Sequence, residues 1–152
     1  MDNCIFCKII AGEIPSCKIW EDGDYIAILD AFPNIKGQSL VIPKVHTDSD
    51  AFKMSVPEYS SFMKAVKKVA KLLAKRLKVN RVHLVLEGTA VNHLHAKLYP
   101  AIGCSKDSIS TTAKENVKFD SYPGYVTTIM GPRADEEELK ELQKRLKEDV
   151  KS

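Results

Sequence analysis

The sequence contains no apolar run near the roughly 20 residues that a membrane-spanning helix needs. The opening Met-Asp-Asn-Cys is not a basic segment followed by an apolar one, so no secretory signal is expected and a cytoplasmic location is the default. Charge of one sign is also scarce. Twenty-three basic residues against 20 acidic ones leave a net charge of only +3, and a duplex-binding protein usually shows a concentrated basic face. No nucleic-acid partner and no membrane are therefore expected. Cysteine is sparse too, at positions 4, 7, 17 and 104, too few and too irregularly placed for a disulfide framework. No internal repeat and no low-complexity stretch interrupts the chain.

What is present suits one ordinary domain. The 152 residues are 44% hydrophobic and 28% charged, enough to build a core without staples. Residues 4–14 suit a short helix. Strands are expected over 18–20, 25–29 and 38–42, the last stopped by Pro43, with a loop from Asp30 to Gly37. The clearest helix runs over 57–77. Ser55-Val56-Pro57-Glu58 is a capping-box pattern with proline in the first turn. Phe62, Val66, Val69 and Leu73 recur at spacings of three and four, while Lys64, Lys67, Lys68, Lys71 and Lys75 take the opposite side as a solvated face. Strands are expected again over 81–86 and 93–99. Past residue 101 the pattern weakens, with a strand over 125–130 and a helix over 135–150 that covers the domain or contributes to a dimer contact. Strands, one long helix and more strands imply an α+β fold with a mainly antiparallel sheet. A core over 3–100 with an extension over 101–152 follows, with no breakpoint for a second domain.

Two constellations carry chemistry. In Cys4-Ile5-Phe6-Cys7, two thiolates two residues apart can grip one metal ion, and a structural zinc takes four Cys and His ligands. A redox pair and plain buried thiols are the rival readings, although a redox pair usually follows a strand. In His93-Leu94-His95-Ala96-Lys97-Leu98-Tyr99-Pro100, strand alternation puts His93, His95, Lys97 and Tyr99 on one face and Leu94, Ala96 and Leu98 on the core face. Two imidazoles and an ammonium make an anion-seeking cluster, and an imidazole with one free nitrogen can attack phosphorus. The plainer reading is a polar strand face open to water. His83 reads as a structural histidine, Cys17 and Cys104 as plain thiols, and Trp20 and Tyr25 as packing residues.

Three separated segments resemble the histidine triad superfamily, in its bacterial zinc-binding branch. They are Cys4-Ile5-Phe6-Cys7-Lys8-Ile9-Ile10-Ala11-Gly12-Glu13-Ile14-Pro15, then Leu40-Val41-Ile42-Pro43-Lys44-Val45-His46, and the histidine strand at 93–100. The resemblance implies an α+β fold of that family, a homodimer, and a purine nucleotide or nucleotide conjugate as ligand. It implies structural zinc on Cys4, Cys7, His46 and His93. It further implies a nucleophile at His95, which attacks an α-phosphate and forms a nucleotidyl-histidine that water cleaves. Asp30 would bond the ribose, and Leu29 and Phe32 would flank the base. The sequence departs from the family pattern in three places. Lys97 stands where the third histidine belongs and Gln38 where another histidine is commonest. The loop before the signature is short, Gly88-Thr89-Ala90, with Thr89 as the candidate phosphate-binding hydroxyl and Lys97 as a phosphate-pairing charge. Three functions fit: a hydrolase or nucleotidyl transferase, a nucleotide-binding module without turnover, or a dithiol protein using Cys4 and Cys7.

Overall fold

The structure is a computed structural model that describes residues 3–104, 118–123, 135–137 and 141. The chain divides into two compact units, Met1–Ser108 and Ile109–Ser152. In the second unit, the Asp135 carboxylate accepts from the Glu137 backbone N–H at 2.9 Å, where a helix begins. The strand expected over 125–130, and the expected terminal helix apart from 135–137 and 141, lie outside the described residues. Among those residues no helix is long and apolar enough to cross a membrane.

The first unit is α+β, as expected. It runs α1 (Ile5–Ala11), β1 (Lys18–Glu21), β2 (Tyr25–Leu29), β3 (Ser39–Pro43), a 3₁₀ turn (Ala51–Lys53), α2 (Val56–Leu77), β4 (Val82–Val85) and β5 (Ala96–Pro100). The five strands form one sheet in the order β1-β2-β3-β5-β4, with every pairing antiparallel. Alternation sorts the side chains of β2 and β3 onto two faces. Ala27 and Val41 face α2, where Phe62, Ala65, Val66, Val69 and Leu73 join Leu94, Ala96 and Leu98 in the larger core. Ile26, Ile28, Leu40 and Ile42 form a second, smaller core with Phe6 of α1. Because both faces are covered, these two strands read as near-continuous apolar runs.

The helix ends follow from local chemistry. The Glu58 carboxylate accepts from the Ser55 backbone N–H at 2.9 Å and from its hydroxyl at 2.6 Å, which starts α2 where the capping pattern predicted. The lysines named for its outer face are exposed. Gly12 closes α1 at φ +81°, a left-handed geometry that lets its N–H reach the Ile9 carbonyl at 3.1 Å.

Two expectations need correction. β3 includes Pro43, which ends an edge of the ladder opposite Tyr25 instead of lying beyond it. The strand expected over 93–99 begins only at Ala96. Before it the backbone turns: the His93 N–H reaches the Val91 carbonyl at 2.8 Å, and the Leu94 N–H reaches the Thr47 carbonyl at 2.9 Å. The alternation of faces nevertheless persists. Leu94, Ala96 and Leu98 are in the α2 core, whereas His93 and His95 lie against Phe6 on the opposite side. The plainer reading of a polar face open to water does not hold there, because α1 covers it: His93 is wholly buried and His95 nearly so.

Candidate functional site: paired histidines beneath the first helix

Packing of α1 on the sheet brings Cys4 and Cys7 to His46, just past β3, and to His93. The four ligand atoms lie within 4.8 Å of one another. Cys4 Sγ is 3.3 Å from His93 Nδ1, and Cys7 Sγ is 3.4 Å from His46 Nδ1 and 3.6 Å from His93 Nδ1. A tetrahedral zinc site has S···N edges of about 3.6 Å, given its ordinary bond lengths. The donor set therefore fits one zinc ion in both chemistry and spacing. His93 is held ready for that role. Its Nε2 donates to the Pro43 carbonyl at 2.9 Å, which leaves the Nδ1 lone pair toward the sulfurs. Burial lowers its pKa, so the ring is neutral. Burial also raises the Cys7 thiol, with the neighbouring Cys4 adding to the shift; a bound cation reverses that bias.

His95 has the opposite tautomer. Its Nδ1 lies 2.7 Å from the His93 carbonyl, an acceptor, so Nδ1 must carry the proton. Nε2 is thus the basic nitrogen, and it has no hydrogen-bond partner among the described residues. No fully buried side-chain nitrogen lacks a partner among the described residues, so Nε2 keeps contact with solvent. Burial lowers the His95 pKa, and the Lys97 charge pushes the same way. The His93 carbonyl and the charges of Glu87 and Asp30 oppose the shift. A neutral imidazole with an available Nε2 is a nucleophile or a base.

Around it, strand register sets the other groups. Lys97 sits across from Leu40 on one side and Val85 on the other. Its Nζ is 3.0 Å from Glu87 Oε2, in an ion pair whose side chains are 26% and 11% exposed. The other oxygen of Glu87 accepts from the hydroxyl of Thr89, which is itself exposed. Gly88 between them has φ +65°, and a Cβ there would lie 2.8 Å from the Ser49 carbonyl oxygen. The loop thus rests directly on residue 49 and needs glycine at that point. Asp30 lies at the end of β2. Its Oδ1 accepts from the Phe32 N–H at 2.9 Å, and its Oδ2 accepts from the Gln38 amide at 2.6 Å. Gln38 is buried, and its carbonyl takes the Asn34 N–H at 2.7 Å. Leu29 is partly exposed and the Phe32 ring is 89% exposed.

The structure thus joins Cys4, Cys7, His46 and His93 in one cluster and puts His95 beside it, within the electrostatic reach of Lys97, Glu87 and Asp30. His83 takes no part. It is exposed on β4 and not a buried structural histidine, because β4 is the edge strand of the sheet. Tyr25 and Trp20 do pack on the α2 core, while Cys17 and Cys104 are exposed thiols. Sequence reasoning gave no role to Glu87 and saw Gln38 only as a departure. The available signal was the lone acid two residues past the end of β4, whose last residue, Val85, pairs with Lys97, the lone base of β5.

A family model described as the HIT domain matches residues 11–100. The chain belongs to the HIT family. Its relatives include the uncharacterized HIT-like protein MJ0866 of Methanocaldococcus jannaschii, 36% identical over 77% of this chain and 93% of that protein. The adenosine 5'-monophosphoramidase HNT1 of Saccharomyces cerevisiae is 36% identical over 64% of this chain and 61% of its own length. The crystal structure of a Zn-bound histidine triad family protein from Mycobacterium smegmatis superposes with a TM-score of 0.57 at 31% identity, covering 72% of this chain and 81% of that one. In this HIT chain the matched segment starts within α1 and ends with β5, so it contains His46, His93, His95 and Lys97 but not Cys4 and Cys7.

Proposed function

We propose that this HIT protein is a nucleotide hydrolase or nucleotidyl transferase that works through a nucleotidyl-histidine at His95, with zinc as a structural ion on Cys4, Cys7, His46 and His93. The observation that carries the reading is the fixed tautomer of His95, with Nδ1 committed to the His93 carbonyl and Nε2 left basic. Nε2 gives its lone pair to the α-phosphorus, and the bond from phosphorus to the leaving group breaks with its electrons. Water then adds its oxygen to phosphorus and loses a proton to solvent, and the N–P electron pair returns to Nε2. The His93 carbonyl supports the ring while it carries positive charge. Asp30, oriented by Gln38 and the Phe32 N–H, receives the ribose hydroxyls. The exposed surfaces of Leu29 and Phe32 face the base. Lys97 contacts the phosphates, and Thr89 joins it when its hydroxyl turns from Glu87 to the ligand, leaving its backbone N–H on that carboxylate. The kinship to adenosine 5'-monophosphoramidases supports a purine nucleotide or nucleotide conjugate as substrate. A homodimer, which the family resemblance implies, belongs to the same proposal, and sedimentation should give twice the chain mass.

The test mixes the protein with adenosine 5'-phosphoramidate, quenches it in alkaline denaturant and maps the peptides by mass spectrometry. An adenylyl group on His95 is expected, and His95→Asn should abolish label and turnover while zinc content and melting temperature hold. A protein that binds nucleotide but yields neither label nor product, whatever nucleoside conjugate is offered, is a binding module instead.

A further inference from the structure

Lys97 is the one signature position where this chain changes the chemical type of the side chain, and its surroundings show what the change does. The ammonium is carried by the second residue of β5, two positions after His95 and on the same face. Glu87 holds it at 3.0 Å. Glu87 is itself anchored by the Thr89 hydroxyl and by the Thr89 backbone N–H at 3.3 Å. An ammonium has three N–H donors, and the Lys97 side chain retains 26% exposure. Fixed by one carboxylate, it keeps donors for a second anion.

We propose that Lys97, positioned by Glu87, forms an oxyanion subsite for the leaving group, so that the enzyme selects nucleotides whose leaving group is itself a phosphate over those that release an amine. The inference rests on the His95 reading and extends it to substrate class. When His95 Nε2 bonds to the α-phosphorus of a dinucleoside polyphosphate, the bond from phosphorus to the bridging oxygen breaks. Its electron pair stays on that oxygen, and the nucleoside polyphosphate departs as an anion without needing a proton. A fixed positive charge stabilises that departure. An amine, by contrast, must gain a proton as the P–N bond breaks. An imidazolium, with an ordinary pKa of about 6.5, donates one readily, whereas an ammonium holds its proton about four pH units more tightly. Lysine in place of histidine thus favours the charged leaving group and handicaps the amine. Glu87 does not touch the substrate in this scheme. It is a positioning residue that keeps the flexible lysine stem from swinging into solvent.

The experiment compares kcat/KM for diadenosine tetraphosphate and adenosine 5'-phosphoramidate, which share the transferred adenylyl group and differ only in what leaves. Wild type should prefer the tetraphosphate at least tenfold. Lys97→Met should lower that preference about 100-fold, in line with the loss of one oxyanion donor. Lys97→His should reverse it, while Lys97→Arg, which keeps the charge, should retain it. Glu87→Gln should raise KM for the tetraphosphate more than for the phosphoramidate. A merely structural lysine would lower both substrates together, so a ratio unchanged within threefold in Lys97→Met overturns the inference. So does a wild-type preference for the phosphoramidate. That second result leaves the His95 reading intact if the adenylyl group still appears on His95, whereas absence of label from both substrates removes the two proposals together.

Discussion

Removing one sulfur from the cluster of two cysteines and two histidines, by Cys7→Ser, tests whether a zinc ion holds α1 to the sheet. The contact from Cys7 to His46 closes 39 residues of chain. A cross-link around a loop of that size withholds about 4 kcal/mol of entropy from the unfolded state. Without the ion, α1 is retained by Phe6, its one buried residue, with Ile9 and Ile10 packed in part against the same core. Burying one such side chain is worth about 1.5–3 kcal/mol, so the metal term is at least comparable with the packing it supplements. Each kcal/mol moves the melting temperature of a unit of this size by about 4–8 °C. Loss of about 4 kcal/mol should therefore lower it by about 15 °C or more. Calorimetry on zinc-loaded wild type and on Cys7→Ser reads the shift, and metal analysis of protein purified without added zinc should give about one ion per chain. Cys17→Ser, at an exposed thiol, is the control and should stay within about 0.5 kcal/mol of wild type. If wild type and Cys7→Ser melt within about a degree of each other, or the purified protein carries no zinc, the loop-closure argument is wrong and the cysteines are ordinary thiols.

Gln38→Ala should cost about 1–3 kcal/mol in urea denaturation, because it strips the buried partner from the Asn34 N–H and a donor from Asp30; under the proposed ribose contact it should also raise KM for nucleotide. Gly88→Ala should cost at least about 1–2 kcal/mol from left-handed geometry alone. The 2.8 Å approach of its Cβ to the Ser49 carbonyl adds to that, and a wild-type melting temperature would refute the assigned loop conformation. The Ser55 hydroxyl and backbone N–H hold the Glu58 carboxyl below its ordinary range. A depressed folded-state pKa stabilises the protein above the unfolded value and loses that stability as pH falls through the folded one. Glu58→Gln should accordingly lessen the drop in stability between neutral and strongly acidic pH, and an unchanged pH slope would mean the cap adds nothing.

Much of this protein is decided by local rules that act along the chain. The start of α2 follows from Ser55 and Glu58 three residues apart, its buried stripe from apolar spacing, and the membership of β2 and β3 from apolar runs bounded by turn residues. Cys4-x-x-Cys7 and the alternating histidines likewise announce their chemistry, because spacing alone fixes which side chains lie on one face. Tertiary structure decided what those side chains do. Whether the His93 and His95 face was open or closed depended on α1 folding over it, a contact between residues about 90 apart. The pairing of Glu87 with Lys97 depended on the register of β4 against β5, and the grip of Gln38 on Asp30 depended on a loop returning to its origin. Above all, two chemically identical imidazoles acquired opposite tautomers. One donates from Nε2 to the Pro43 carbonyl and the other from Nδ1 to the His93 carbonyl. A tautomer is set by the acceptor nearest each ring nitrogen, and only the folded backbone determines which acceptor that is.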